Sequence, residues 1–155
     1  MHSIIIQNVT RLATGPNNLK IRKWVRIVLD KKKIKSCEIL IRIVNKKEMT
    51  ALNTRFRHKT YPTNVLSFPS RIPAFFGDNL LGDIVICASV VEEEALIQQK
   101  TLISHWAHII VHGVLHLLGY DHENEKDANV MESLEIAILQ ELGFSDPYGV
   151  EKIHE

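Results

Sequence analysis

Three histidines at i, i+4 and i+10 in an otherwise apolar stretch are the residues of this chain best suited to chemistry: His112-Gly113-Val114-Leu115-His116-Leu117-Leu118-Gly119-Tyr120-Asp121-His122. On a helix, residues four apart lie ~40° apart around the axis and about 6 Å apart along it, so both imidazoles point the same way. Gly119 can take the left-handed conformation that ends a helix. The chain can then turn back and bring His122 to the same point. Three nitrogen ligands leave the fourth position of a tetrahedral ion open, which is the design of a catalytic site, since a structural site fills that position with protein. Such an ion polarises a phosphoryl or carbonyl oxygen, or lowers the pKa of its water toward ~7. Metalloproteases carry His-Glu-x-x-His, with the glutamate as general base. Here Gly113 follows the first histidine, which counts against peptide hydrolysis.

The elements that must position these histidines follow from hydrophobic rhythm. Residues 4–6 read as a strand, and 19–29 as a helix introduced by Gly15-Pro16-Asn17-Asn18. Residues 37–44 are β-rich, 46–57 helical, and 62–68 strand-like, closed by Pro69. The stretch 70–79, rich in Pro, Gly and Phe, reads as a loop, and 81–88 as a buried strand. Helices follow over 90–99 (with an acidic first turn, Glu92 to Glu94), 102–118 and 126–142. The order β-α-β-α-β-β-α-α-α predicts an α+β domain. The expected form is a small mixed four-stranded sheet packed with about five helices. Its central, metal-binding helix is like the zinc helix of metalloproteases. That helix should be buried, because Ile109, Ile110, Val111, Val114, Leu115, Leu117 and Leu118 make it apolar nearly all round.

At 155 residues, residues 1–155 are expected to form one domain. No apolar run approaches the ~20 residues of a membrane helix, and the N-terminus lacks the features of a signal peptide. Two cysteines, Cys37 and Cys87, at no metal-type spacing, suit buried thiols in a reducing cytoplasm. The net charge of +1 hides an asymmetry. Residues 1–60 carry 15 Lys/Arg against three acids, net +12, and residues 61–155 carry four against 15, net −11. Either the basic half meets a polyanion, or it pairs with the acidic half. The metal site favours a phosphate-bearing substrate.

The histidine segment also resembles the signature of the YbeY family of bacterial endoribonucleases, also called ribosomal RNA maturation factors. Pro62-Thr63-Asn64-Val65-Leu66-Ser67-Phe68-Pro69 is similar to the family's second motif and Leu81-Gly82-Asp83-Ile84-Val85-Ile86-Cys87 to a third. His105-Trp106-Ala107-His108 and Asp146-Pro147-Tyr148 extend the likeness, which spans residues 52–148. The resemblance implies a cytoplasmic, metal-dependent, single-strand-directed ribonuclease. Its work would be ribosomal RNA processing, notably 3′-end maturation of the small-subunit (16S) RNA, and ribosome quality control. It implies one zinc ion, or another divalent transition metal such as nickel, on His112, His116 and His122. Catalysis would rest on Arg57, His112 and His116. The implied partners are single-stranded and ribosomal RNA and the small subunit with its factors, with neither membrane nor DNA expected. The chain departs from the pattern at Thr60, where many members carry an acid.

Physical reasoning assigns further roles. A guanidinium is planar, bidentate and always charged, so Arg57 suits the charge that builds on phosphorus. Its alternative is a solvated arginine at the end of a basic helix. Arg55 and Lys59 could hold flanking phosphates, or simply face solvent. Asp121 could orient a ligand's second nitrogen or cap the following turn or helix. His105 and His108 are expected to pack or hydrogen-bond, and exposed His58 to be incidental. Tyr61 and Phe68 could stack on bases, with core packing the default for Phe68. Two rival functions stand beside the ribonuclease. One is a non-catalytic RNA-binding assembly factor with a structural metal; the other is a metal-dependent hydrolase of peptide or amide bonds.

Overall fold

The computed structural model describes residues 2–10, 15–70 and 80–148. Its elements are β1 (Ser3–Asn8), α1 (Asn18–Lys31), β2 (Glu38–Val44), α2 (Lys46–Arg57), β3 (Val65–Pro69), β4 (Leu80–Cys87), α3 (Ala88–Ile97), α4 (Leu102–Leu117) and α5 (Glu125–Glu141). The α+β class, the four-stranded mixed sheet and the five helices are those the sequence predicts. The loop expected over 70–79 lies, apart from Ser70, outside the described residues.

The strands run in the order β1-β2-β4-β3, with β1, β2 and β4 parallel and β3 antiparallel to β4 at one edge. Strand alternation puts Ile39, Ile41, Ile43, Ile84 and Ile86 on one face, all buried under the helices. Each such side chain contributes about 1.5–3 kcal/mol by leaving water. Helix α4 crosses this face and packs also on α1, α3 and α5, so its near-continuous apolar surface is fully used. The opposite face holds Val44, Leu66, Val85 and Cys87 against Met49 of α2. Both cysteines are buried free thiols.

Two boundaries move for physical reasons. Pro69 lies inside β3 rather than closing it. Cys87 N donates to Asn64 O and Ser70 N to Leu81 O, so even-numbered residues bond inward. Pro69, with no N–H, falls on the outward edge where none is needed. Helix α3 starts at Ala88, straight off β4, so the three glutamates are not in its first turn. Glu94 instead turns inward toward α4.

Candidate metal centre and cleft

Helix α4 is capped at its start by Thr101, whose hydroxyl accepts from Ser104 N at 3.2 Å, and the chain leaves it at Gly119, where φ is +100°. Gly119 N and Tyr120 N donate back to His116 O and Leu115 O, reversing the chain as glycine in this region allows. His112, His116 and His122 thereby converge: one nitrogen from each lies within 4.8 Å of the others. His112 and His116 face each other through their Nε2 atoms at 3.1 Å.

That short approach tests the fit of a metal. His112 Nδ1 lies 2.9 Å from Glu135 Oε1, and a carboxylate only accepts, so Nδ1 carries the proton and Nε2 presents a lone pair. Burial, then the nearby His112 and His122, push His116 down to about 4, so its ring is neutral in neutral solution. With the His116 proton on Nδ1 the two rings turn converging lone pairs toward one point; with it on Nε2 they share a hydrogen bond at 3.1 Å. The spacing is close to the edge of about 3.3 Å that tetrahedral Zn–N bonds require. The residues fit a metal ion.

Glu135 was not singled out by sequence reasoning. It is 1% exposed on α5, and it accepts from His112 on one oxygen and from His108 (2.7 Å) and the Tyr148 hydroxyl (2.7 Å) on the other. Burial pushes its carboxyl up, but the hydrogen bonds from His108 and His112 outweigh this and bring it down to about 2. The signal was present: a lone carboxylate at the spacing of Met131, Ile138 and Leu139, on the buried face of α5. His108, His112 and Glu135 also come close enough to hold an ion. Of that grouping only Glu135 is buried, and it would use the His112 nitrogen whose proton Glu135 already accepts. Asp121 caps its own turn, accepting from His122 N at 2.7 Å; the carboxylate on the ring is Glu135. His105 and His108 are hydrogen-bonded, as expected.

The histidines form one wall of a cleft of about 660 Å³. The same cleft is lined by the end of α2 and the lead into β3, with Arg57, Lys59, Tyr61 and Asn64. Asn53, buried on α2, donates to Tyr61 O at 2.8 Å and fixes that lead. His58 caps α2 in the left-handed region, φ 60°, and is exposed. Arg57 makes no ion pair or hydrogen bond among the described residues, so its guanidinium is available to a ligand. Arg55 lies over the Phe56 ring, 5.3 Å from its centre. The basic half does pair partly with the acidic half, through Lys31 with Glu141 and Lys46 with Glu93. Phe68 packs in the α2-side core and meets Phe56 edge-on at 5.1 Å, whereas Tyr61 is 55% exposed.

Position 113 bears on the peptide-hydrolase reading. A Cβ there would stand 3.1 Å from Ile84 Cγ2 and 3.5 Å from Ser67 Oγ, and Ser67 Oγ donates to Gly113 O at 3.0 Å. A side chain at this position would press on Ile84, which would have to give by a few tenths of an ångström, and glycine puts no carboxylate where a metalloprotease keeps its base.

Comparisons with known proteins agree with this architecture. The family model for Endoribonuclease YbeY matches residues 6–143. A protein named Endoribonuclease YbeY from Methylococcus capsulatus is 51% identical over 133 residues, 86% of this chain and 87% of that one. Another of that name from Pseudomonas putida is 49% identical over 149 residues, 96% of this chain and 94% of its own. The solution structure of TM1509 from Thermotoga maritima aligns over 99% of this chain and 93% of its own, with TM-score 0.57 and 25% identity. The fold and cleft are those of a hydrolytic enzyme with a histidine-rich site. The chain belongs to the endoribonuclease YbeY family, and is an enzyme of the endoribonuclease class.

Proposed function

We propose that residues 1–155 act as one domain, a metal-dependent endoribonuclease that cuts single-stranded RNA. The observation that carries this reading is the cleft itself, lined by three converging imidazoles and by an arginine with no ion pair or hydrogen bond among the described residues. His112, His116 and His122 would hold one ion, zinc or another divalent transition metal such as nickel, imidazole being suited to several. When bound it supplies Lewis acidity at a phosphate oxygen. Glu135 keeps the His112 proton on Nδ1 and so aims Nε2 at the ion's place. Arg57 binds the phosphate and meets the negative charge that builds on it, with two parallel N–H donors in a fixed plane. Lys59 and Arg55 add charge along the strand's path, which makes binding weaken with salt.

The resemblance of the three long motifs supports a place in ribosomal RNA processing, notably 16S 3′-end maturation, and in ribosome quality control. The partners are then ribosomal RNA and the small subunit with its factors. A cytoplasmic location goes with this reading; no described helix is long and apolar enough to cross a membrane. Purified protein, stripped with chelator and reloaded with zinc, should cut single-stranded RNA only when loaded, and both His116→Ala and Arg57→Ala should lose that cutting while remaining folded. RNA binding without cleavage in every metal state would sink the enzyme reading and leave the assembly factor.

A further inference from the structure

Asn64 stands on the wall of the cleft that holds Arg57 and the three histidines, where the chain enters β3. Its backbone is pinned by Cys87 N, which donates to Asn64 O at 2.9 Å. Its side chain is pinned as well. Nδ2 lies 3.0 and 3.3 Å from the two carboxylate oxygens of Glu94, and a carboxylate only accepts. The reversed amide would set oxygen against oxygen. The nitrogen therefore faces Glu94, and Oδ1 is left as an acceptor with no hydrogen-bond donor among the described residues.

Glu94 is held in turn. His105 Nε2 lies 3.0 Å from Oε1, and the His105 side chain is 3% exposed on the ligand-bearing helix. Burial pushes the Glu94 carboxyl up, but hydrogen bonds from His105 and Asn64 prevail and hold it below its ordinary range. Networks of this kind rigidify what they connect. This one fixes a single amide on the wall of the cleft and ties it to the helix of the metal centre.

The free acceptor selects its ligand. A phosphate oxygen would be repelled, since it too only accepts. A ribonucleotide offers two kinds of donor, the 2′-hydroxyl and the N–H groups of its base. The 2′-hydroxyl is a few bonds from the phosphate in every nucleotide, and Arg57 with the histidines places a phosphate in this same cleft. We propose that Asn64 Oδ1 accepts a hydrogen bond from the 2′-hydroxyl of a nucleotide in the cleft, with Glu94 and His105 as positioning residues that fix the amide for it. The proposal rests on the ribonuclease reading, and makes Asn64 a residue that tells RNA from DNA.

The test uses the zinc-loaded protein and a labelled single-stranded RNA in which one 2′-deoxy or 2′-fluoro nucleotide is walked along the strand. Binding is read by stopped-flow anisotropy ahead of turnover. At one position both substitutions should weaken wild-type binding about three- to tenfold, the worth of one neutral hydrogen bond. Asn64→Ala should weaken the all-RNA strand by that factor and then be indifferent to substitution at that position. Glu94→Gln should shrink the 2′ effect, which a merely structural role would not do. The proposal is overturned if wild type is insensitive at every position, if Asn64→Ala retains the full 2′ effect, or if that variant changes base preference alone. The wild-type arm needs no variant to fold. Wild-type protein that binds no RNA at all would instead overturn the ribonuclease reading, and this proposal with it.

Discussion

Of the imidazole–carboxylate pairs on helix α4, two that lie seven residues apart, His105 with Glu94 and His112 with Glu135, do different things. In the first, Glu94 takes Nε2 of a nearly inaccessible ring. The remaining Nδ1 is buried with no partner among the described residues, so that ring has nothing left to offer. In the second, Glu135 takes Nδ1 of a ring whose other nitrogen faces His116 at the cleft. The chemistry of the two pairs is the same. What differs is which nitrogen the carboxylate occupies and what the other one faces. A buried histidine–carboxylate pair is thus no site by itself, and becomes part of one only when its free lone pair converges with others.

The strongest way to break this contrast is to remove a converging ring. His116→Ala should abolish zinc retention and RNA cleavage, whereas His105→Ala should leave zinc content, read by elemental analysis, intact. Next, Arg57→Ala should lower kcat by about 10²–10³ with metal content unchanged, as for loss of one preorganised charge donor. Arg57→Lys should restore little, because a point charge cannot reproduce the paired fork. Glu135→Gln should weaken zinc by roughly 10- to 100-fold in a chelator competition. Glu94→Gln, the matching change in the other pair, should leave zinc affinity alone and cost about 1–3 kcal/mol in urea unfolding. Equal effects of the two substitutions on zinc would erase the distinction between the pairs.

The smallest effect is on acid stability. Glu135, brought to about 2, and Glu94, also lowered, ionise more readily folded than unfolded. Their contribution is present above the ordinary carboxyl value of ~4.3 and is lost as pH falls through the folded values. His108 and His116, held below the usual imidazole range mainly by burial, act in the same direction from higher pH. The urea midpoint of metal-free protein should therefore fall steadily on acidification below neutrality. Glu135→Gln should flatten its last part, toward pH 2.

Local spacing made much of this legible. The i, i+4 histidines, the glycine that reverses the chain, and the apolar surface of α4 are short-range facts, set by helix geometry and by the conformations glycine tolerates. The order of elements could be read for the same reason, since hydrophobic period reports local geometry. Boundaries at Pro69 and Ala88 were misjudged because an edge position and a direct strand-to-helix junction depend on neighbours distant in sequence. Glu135 and Glu94 were missed because a carboxylate's partner is chosen by the packing of whole helices.

From its own residues, the chain determines that two imidazoles point together, that a third can return to them, and that basic residues gather in the first sixty. Only the tertiary structure decides that Arg57 shares a cleft with those rings, that Glu135 rather than Asp121 holds His112, and that position 113 lies tight against Ile84. The reason is physical: spacing along a helix fixes directions within one element, while distances between elements follow from how their apolar faces pack.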